Sequence, residues 1–243
     1  MKQMVRRVAE IVAPAYTKRR LEARWLEQHA REFSDAIRRE QSIEQRVDYA
    51  RAHSHLRSNQ KRAEIIGLLK LLDEMRPRLV CEIGADRGGT LALFGSVAAE
   101  DAKILSLDIE YPESRAQVYR ILAQPGQQLT CHEADSHAPG TLERVKEWLG
   151  GKQLDFLFID GDHSLAGVKA DYEMYGPLVR SGGIIAFHDI VEDFRTRYGT
   201  VTPSDAGQVP AYWKELRGSL ASYKELIENT EQDGYGIGVV HVP

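Results

Sequence analysis

Apolar and polar positions follow two rhythms along this chain. Short apolar runs bounded by Gly or charged residues, RLVCEIG (78–84), KILSLDI (103–109), LTCHEAD (129–135), LDFLFID (154–160) and GIIAFHD (183–189), predict strands. Between them lie helix-compatible stretches: TLALFGSVAAE, Ser114 to Ala123, Thr141 to Leu149 and Leu165 to Leu178. Strands alternating with helices predict an α/β fold, a doubly wound and mostly parallel sheet covered on both faces. Two closing runs, SYKELIEN and YGIGVVHV, with Asp233-Gly234 between them, predict an antiparallel pair at the end of the sheet and bring it to seven strands.

Upstream, Met1 to about Tyr49 is helical in pattern, with Trp25, Leu26, His29, Phe33 and Ile37 spaced by threes and fours. The polar stretch His53 to Gln60 reads as a solvated linker, and a helix over Ala63 to Glu74 stops before Pro77. The expected division is a helical extension with linker over 1–59 and one α/β domain over 60–243. Val191 to Val209 is irregular and long enough for a lid or substrate loop. The short helix Tyr212 to Leu216 after it carries Tyr212 and Trp213, which either stack on a ligand or pack into the core.

Length and charge narrow the class. The chain has 243 residues and a formal charge of −4, which suits one large domain and supplies no global field for nucleic acid. The first forty residues are mildly basic, with ten Lys and Arg against six acids. That arm offers a surface for packing on the main domain or for homo-oligomer formation; the alternative is a peripheral membrane helix, which the basic excess supports and the width of the apolar face does not. No run approaches an integral membrane span, and the one candidate signal core, Val8 to Ala13, is cut by Glu10 and followed by Pro14, so a cytoplasmic protein is expected. Cys81 and Cys131 sit in strand-like contexts without zinc spacing and are expected as buried free thiols.

In a doubly wound sheet, ligands bind beyond the carboxyl ends of the strands. Those ends read Glu82-Ile83-Gly84, Asp108, Asp135, Asp160 and His188-Asp189, so all five strands terminate in carboxylates. One such Asp is an ordinary cap or turn residue. Five on one rim exceed what capping needs. The first strand-to-helix turn, EIGADRGGT, holds Gly84, Gly88 and Gly89, which permit positive φ and close approach of backbone to a ligand. Its spacing is not GxGxxG, and Asp86 would repel a pyrophosphate at the helix N-terminus, so a cationic, phosphate-free ligand suits the loop. Asp108 stands where a carboxylate accepts from ribose hydroxyls, its alternative being an N-cap. Asp160 and Asp189 end neighbouring strands and together suit a hard divalent cation, with His188 either a softer third ligand or a hydrogen-bonding neighbour. His163 follows Asp160 by three residues, and an imidazole with an ordinary pKa of about 6.5 is suited to accept a proton. Its alternative is a surface or capping residue.

EIGADRGGT, SLDIE, FIDGDHS followed by GVKADYEMYGPLVRSGGIIAFHD, VPAYWKEL and GYGIGVV together carry a resemblance. Over about Gln60 to Val242 the chain resembles class I S-adenosylmethionine-dependent methyltransferases. Within them it resembles the metal-dependent group of macrolide-sugar and rhamnosyl O-methyltransferases and cephalosporin-hydroxylase-like proteins (methyltransferase family 24 type). The resemblance implies a Rossmann-like domain with S-adenosyl-L-methionine and Mg2+ as cofactors, and a small-molecule or sugar hydroxyl as methyl acceptor. It implies that Glu82 and Gly84, with Ala85 and Gly88 of the same turn, lie along the methionine part of the cofactor. Asp108 would hold the ribose, and Asp135 and Ser136 would border the adenine. Asp160 would adjoin the cofactor and ligate the metal with Asp189 and position 188, and His163 would be the general base. Related sugar methyltransferases often carry Glu where His188 stands, so this chain departs from the group there. Three rivals are a metal-dependent phosphoesterase, which would not bind adenosine at Asp108, a nicotinamide oxidoreductase, which needs a pyrophosphate loop, and a binding protein that keeps the fold without turnover.

Overall fold

A computed structural model of the chain describes residues 27–111 and 118–243. The expected helical pattern before residue 27, including Trp25 and Leu26, and residues 114–117 of the expected helix Ser114 to Ala123 lie outside the described residues, while the rest of that helix is short and ends in a 3-10 turn at Arg120–Leu122. The described chain opens with helices α1 (27–39) and α2 (Ile43–Ala52), separated where Ser42 caps α2 in a reciprocal capping box with Gln45. The helical stretch before Tyr49 is therefore interrupted. Phe33 and Ile37 of α1 are fully buried in the main core.

Helix α3 (Arg62–Met75) leads into β1 (Leu79–Ile83), α4 (Gly89–Val97), β2 (Lys103–Asp108), β3 (Gln128–Glu133), α5 (Pro139–Leu149), β4 (Leu154–Ile159), α6 (Leu165–Tyr175) and β5 (Val179–His188). Two short helices, α7 (Phe194–Tyr198) and α8 (Val209–Arg217), precede β6 (Tyr223–Leu226) and β7 (Ile237–His241). The seven strands order as β3-β2-β1-β4-β5-β7-β6. The first five are parallel, and β7 runs antiparallel to both β5 and β6. The expected architecture is thus present, with the closing antiparallel pair inserted so that β7 lies between β5 and β6.

Alternate residues of each central strand face opposite layers. Val80, Ile104, Phe156, Phe158, Ile184 and Ala186 join one buried cluster, shared with α1 to α4. Cys81, Leu105, Leu157, Ile159, Ile185 and Phe187 join the other, shared with α5, α6 and α8. The aromatic pair of α8 belongs there: Tyr212 and Trp213 are buried, with Trp213 beside Phe187 and its indole N–H donating to Glu225 at 2.7 Å. Core packing, not ligand stacking, is their role. Among the described residues no helix is long and apolar enough to cross a membrane.

Candidate active site

The chain order reverses between the parallel neighbours β1 and β4, since β1 is followed by β2 on one side and β4 by β5 on the other, and a crevice opens there beyond the strand ends. Gly84 and Asp160 continue β1 and β4 side by side, the Asp160 N–H donating to the Ile83 carbonyl at 2.8 Å. Gly84 has φ +86, and a Cβ on it would lie 2.0 Å from the Asp160 carbonyl oxygen. A glycine is therefore demanded by the neighbouring strand. Gly89 is similarly pressed against the Arg57–Ser58 backbone, and Gly88 (φ +78) against the Tyr119 ring. The room those glycines make is filled by protein rather than held for a ligand. Neither Gly88 nor Gly89 lines the cavity, whereas Gly84 and Ala85 do.

The cavity has a volume of about 660 Å³, within the range of small-molecule sites. It brings together Glu82, Gly84, Ala85, Asp108, Asp135, Ser136, Asp160, His163, His188 and Asp189. At one end, Asp108 accepts from the Ala85 N–H at 2.7 Å through Oδ2 and from the Glu110 N–H at 3.1 Å through Oδ1, tying the glycine loop to the tip of β2. Ile109, next in the chain, projects with 72% exposure and forms an apolar wall there. Asp135 accepts from the His137 N–H at 2.8 Å, and the Ser136 carbonyl accepts from the Tyr175 hydroxyl at 2.7 Å. In the middle Glu82 is buried, and its Oε2 has no hydrogen-bond partner among the described residues. Burial, with Asp160, Asp108 and Asp86 nearby, pushes its carboxyl well above the usual range.

The other end gathers two carboxylates and two imidazoles. His188 Nδ1 stands 3.1 Å from Asp160 Oδ1 and 3.2 Å from Asp189 Oδ2. His163 Nε2 faces the same two oxygens at 3.7 and 3.6 Å. Asp160, His163 and Asp189 offer donor atoms within 4.8 Å of one another, a spacing that can hold a metal ion. Burial opposes ionisation of Asp160, but the charges of His188 and His163 outweigh it and bring its carboxyl down to about 2. The facing Asp160 carboxylate is the main reason His163 is raised to about 9, against the effect of burial. For His188 burial works downward, yet the two carboxylates carry it well above the ordinary imidazole range.

The sequence reading passed over several residues that shape this end. The supposed linker is folded onto the site: Ser58 and Gln60 are buried, Gln60 Nε2 donates to Asp160 Oδ2 at 3.3 Å, and Asn59 donates to Asp86 at 2.6 Å. Its polarity hid it, and the paired amides near Gly89 were the available signal. Tyr235 lines the cavity beside His188, ring centroids 5.8 Å apart. Both Tyr235 and Asp189 adopt positive φ, and the Tyr235 N–H donates to Asp189 Oδ1 at 3.0 Å, which leaves Oδ2 facing the histidines. Beneath that loop, the buried Glu64 carboxylate accepts from Gly236 N–H, Gln232 Nε2 and Glu228 N–H at 2.9, 2.7 and 3.2 Å.

The irregular 191–208 segment also serves the site. Asp193 caps α7 through the Thr196 N–H and accepts from the Ala206 N–H. Asp233 accepts from the Phe194 N–H, so the segment is fastened down at both ends. The Asp205 carbonyl takes the hydrogen bond from His163 Nδ1 at 2.5 Å. A carbonyl can only accept, so Nδ1 carries the proton, and the neutral imidazole has its lone pair on Nε2, toward the carboxylates.

This strand order, with acids along the crevice, defines the class of domain. Residues 81–190 match the model of a methyltransferase domain. A rhamnosyl O-methyltransferase of Mycobacterium leprae (strain TN) is 30% identical over 159 residues, covering 61% of this chain and 64% of that protein. A rhamnosyl O-methyltransferase of Mycobacterium tuberculosis (strain ATCC 25618 / H37Rv) is 24% identical over 127 residues, 49% of each chain. The chain thus spans less than two thirds of the first of these curated relatives and about half of the second. Among solved structures, the O-methyltransferase from Bacillus cereus in complex with SAH superposes with a TM-score of 0.58 at 18% identity, covering 82% of this chain and 88% of that one. The MycE methyltransferase of the mycinamycin biosynthetic pathway, in complex with Mg, SAH and mycinamycin VI, gives a TM-score of 0.52 at 18% identity, covering 72% and 48%. The chain shares the fold of these O-methyltransferase structures, and its residues 81–190 are similar to a methyltransferase domain.

Proposed function

We propose that the protein is an S-adenosylmethionine-dependent O-methyltransferase that uses a divalent cation to methylate a hydroxyl of a sugar or other small molecule. The observation that carries this reading is one continuous cavity with Glu82 and Asp108 in one part and Asp160, His163, His188 and Asp189 in the other. Curated relatives that are rhamnosyl O-methyltransferases support a sugar hydroxyl as acceptor, and a neighbour of the same fold was solved with Mg, SAH and mycinamycin VI. When bound, S-adenosylmethionine supplies a methyl group on a sulfonium, and a divalent cation supplies charge that favours the alkoxide form of the acceptor oxygen.

The residues fit both groups. The unpartnered Glu82 Oε2 suits an ammonium, which would ionise the carboxyl and satisfy it. Asp108 uses one lone pair of each oxygen on backbone N–H groups and keeps the others for ribose hydroxyls. Ile109 offers an apolar face beside Asp135 and Ser136, where an adenine would lie. Asp160, His188 and Asp189 would hold the cation, whose charge would offset the carboxylates that otherwise keep His163 protonated; the neutral imidazole, its tautomer set by Asp205, then takes the acceptor proton on Nε2. The 191–208 segment, with Pro203, Ser204 and Asp205 on the cavity wall, excludes water and positions the acceptor. The acids of the EIGADRGGT turn and its lack of GxGxxG spacing disfavour the phosphate-binding rivals. Calorimetry tests the reading: the protein should bind S-adenosylmethionine and S-adenosylhomocysteine but not NAD. Binding of NAD, or of no adenosyl ligand, would refute it.

A further inference from the structure

The donor set at the acceptor end raises a question that the class of domain leaves open: which cation it is built to hold. Magnesium keeps near-octahedral oxygen coordination, sheds water reluctantly and has little use for imidazole, whereas borderline transition dications take nitrogen and oxygen together. Among the described residues this site offers two carboxylates, and of the two imidazoles that face both, the His188 nitrogen lies nearer, at 3.1 and 3.2 Å.

The geometry supports ligation. Donors held at about 2.1 Å from one ion lie about 3.0 Å apart when they are octahedral neighbours and about 3.4 Å apart in a tetrahedron. His188 Nδ1 lies 3.1 and 3.2 Å from the two facing oxygens, and His163 Nε2 lies 3.6 and 3.7 Å from the same pair. One oxygen of each Asp therefore faces both imidazoles. His188 is 5% exposed, wedged between Phe158 and Tyr235, and its other ring nitrogen, Nε2, has no hydrogen-bond partner among the described residues. Its placement serves the carboxylates, since they are the only hydrogen-bonding groups its ring meets among those residues. Asp189 is held for the same purpose by the Tyr235 N–H, and Asp160 by Gln60, each through the oxygen that does not face the nitrogens.

We propose that Asp160, His188 and Asp189 form a mixed nitrogen–oxygen site that selects a borderline transition dication of the manganese, iron, cobalt or zinc class over magnesium, with His188 as the selecting ligand. The proposal rests on the methyltransferase reading for its place in catalysis but not for its test. The probe is the metal alone, titrated into protein freed of metal by chelator.

Wild type should bind Mn2+ at least about tenfold more tightly than Mg2+, and His188→Glu, which restores an all-oxygen set, should narrow that ratio by about tenfold or more. Because transition ions outrank magnesium at most sites, the deciding readout is spectroscopic. Pulsed electron paramagnetic resonance of bound Mn2+ should show imidazole-nitrogen coupling in wild type and in His163→Ala, and none in His188→Glu. Coupling lost in His163→Ala but kept in His188→Glu would assign the nitrogen to His163 and overturn the proposal. Mn2+ bound without nitrogen coupling, or no metal bound at all, would overturn it as well. S-adenosylhomocysteine binding, measured on the same samples, separates the two failures. If it persists while the metal result fails, only the present inference falls, and if it is also absent from wild type, the methyltransferase reading falls with it. Retained S-adenosylhomocysteine affinity in His188→Glu shows that the variant folds, and His188→Asn provides a smaller second variant that should likewise lose the coupling.

Discussion

Asp108 allows the cofactor end of the cavity to be tested quantitatively, because its carboxylate already has structural work. Its Oδ2 accepts from the N–H of Ala85, a buried residue, and its Oδ1 from the exposed Glu110 N–H. In Asp108→Ala the Ala85 N–H loses a charged acceptor, at a cost of about 2 kcal/mol, while the Glu110 N–H turns to water. For a domain of this size that lowers Tm by about 4–8 °C, so weak cofactor binding in this variant would mix misfolding with lost contacts. Asp108→Asn is the cleaner perturbation. Its amide oxygen can still accept from Ala85, but the charge is gone and one face now donates toward the ribose. Hydrogen bonds to a charged acceptor are about twice as strong as neutral ones, so two hydroxyl contacts should lose about 2 kcal/mol or more together. That is about 30-fold in Kd for S-adenosylhomocysteine, read by calorimetry beside a circular-dichroism melt. An Asn variant that melts near wild type and binds within about threefold of it would remove Asp108 from the ribose contact.

Four further outcomes follow from the same contacts. Glu82→Gln mimics the protonated carboxyl that burial favours, so it should keep Tm while weakening S-adenosylmethionine by about tenfold or more, seen by calorimetry, and unchanged affinity would exclude the ammonium contact. Because Glu82 is raised above its unfolded value, ionising it costs stability as pH rises; cofactor binding should release a proton, detected as a binding enthalpy that varies with the buffer's ionisation heat. Asp160→Asn should abolish metal-stimulated methyl transfer, and a full metal response in this variant would exclude Asp160 as a ligand. His163→Ala should lower the rate at neutral pH by about 10²–10⁴-fold with cofactor affinity kept, and an undiminished rate would place the base elsewhere. Glu64→Ala leaves three donors without their carboxylate and should cost about 3 kcal/mol or more, a Tm loss of about 6–12 °C in the same melt.

Strand ends were the most legible part of the chain, because a buried parallel strand is a continuous apolar run and its exit is marked by the first charge. Glu82, Asp108, Asp160 and Asp189 could be placed on one rim for that reason, although strand order was needed to show that β1 and β4 adjoin. Contacts made by polar segments were not legible. The 53–60 stretch has a loop's composition, yet Leu56 is buried and the backbone of Arg57 and Ser58 rests on Gly89. Tyr235 was invisible as a site residue because what qualifies it is a left-handed backbone and an N–H aimed at Asp189, neither of which has a periodicity. The fastenings of the 191–208 segment were not legible because Asp193 and Asp233 are single acids forty residues apart whose partners, backbone N–H groups and the Thr202 hydroxyl, have no pattern in sequence.

The two halves of the cavity depend on one another through the β1–β4 junction. Ile83 pairs with Ile159 in register, so the next residues of both strands, Gly84 and Asp160, leave the sheet abreast. Gly84 begins the loop that Asp108 ties down through Ala85, and Asp160 begins the group of donors at the acceptor end. Their separation is set by backbone, since the Asp160 carbonyl occupies the space where a Gly84 side chain would begin. Any side chain there would part the strand tips by an ångström or more, and a displacement of about 1 Å between reacting groups can cost about 10²-fold in rate. Under the proposed function Gly84 is thus a distance constraint between the methyl donor's seat and the acceptor's, and the acids it brings close are tolerable because one half of the cavity balances its two carboxylates with imidazoles while Glu82 would pair with the cofactor's ammonium.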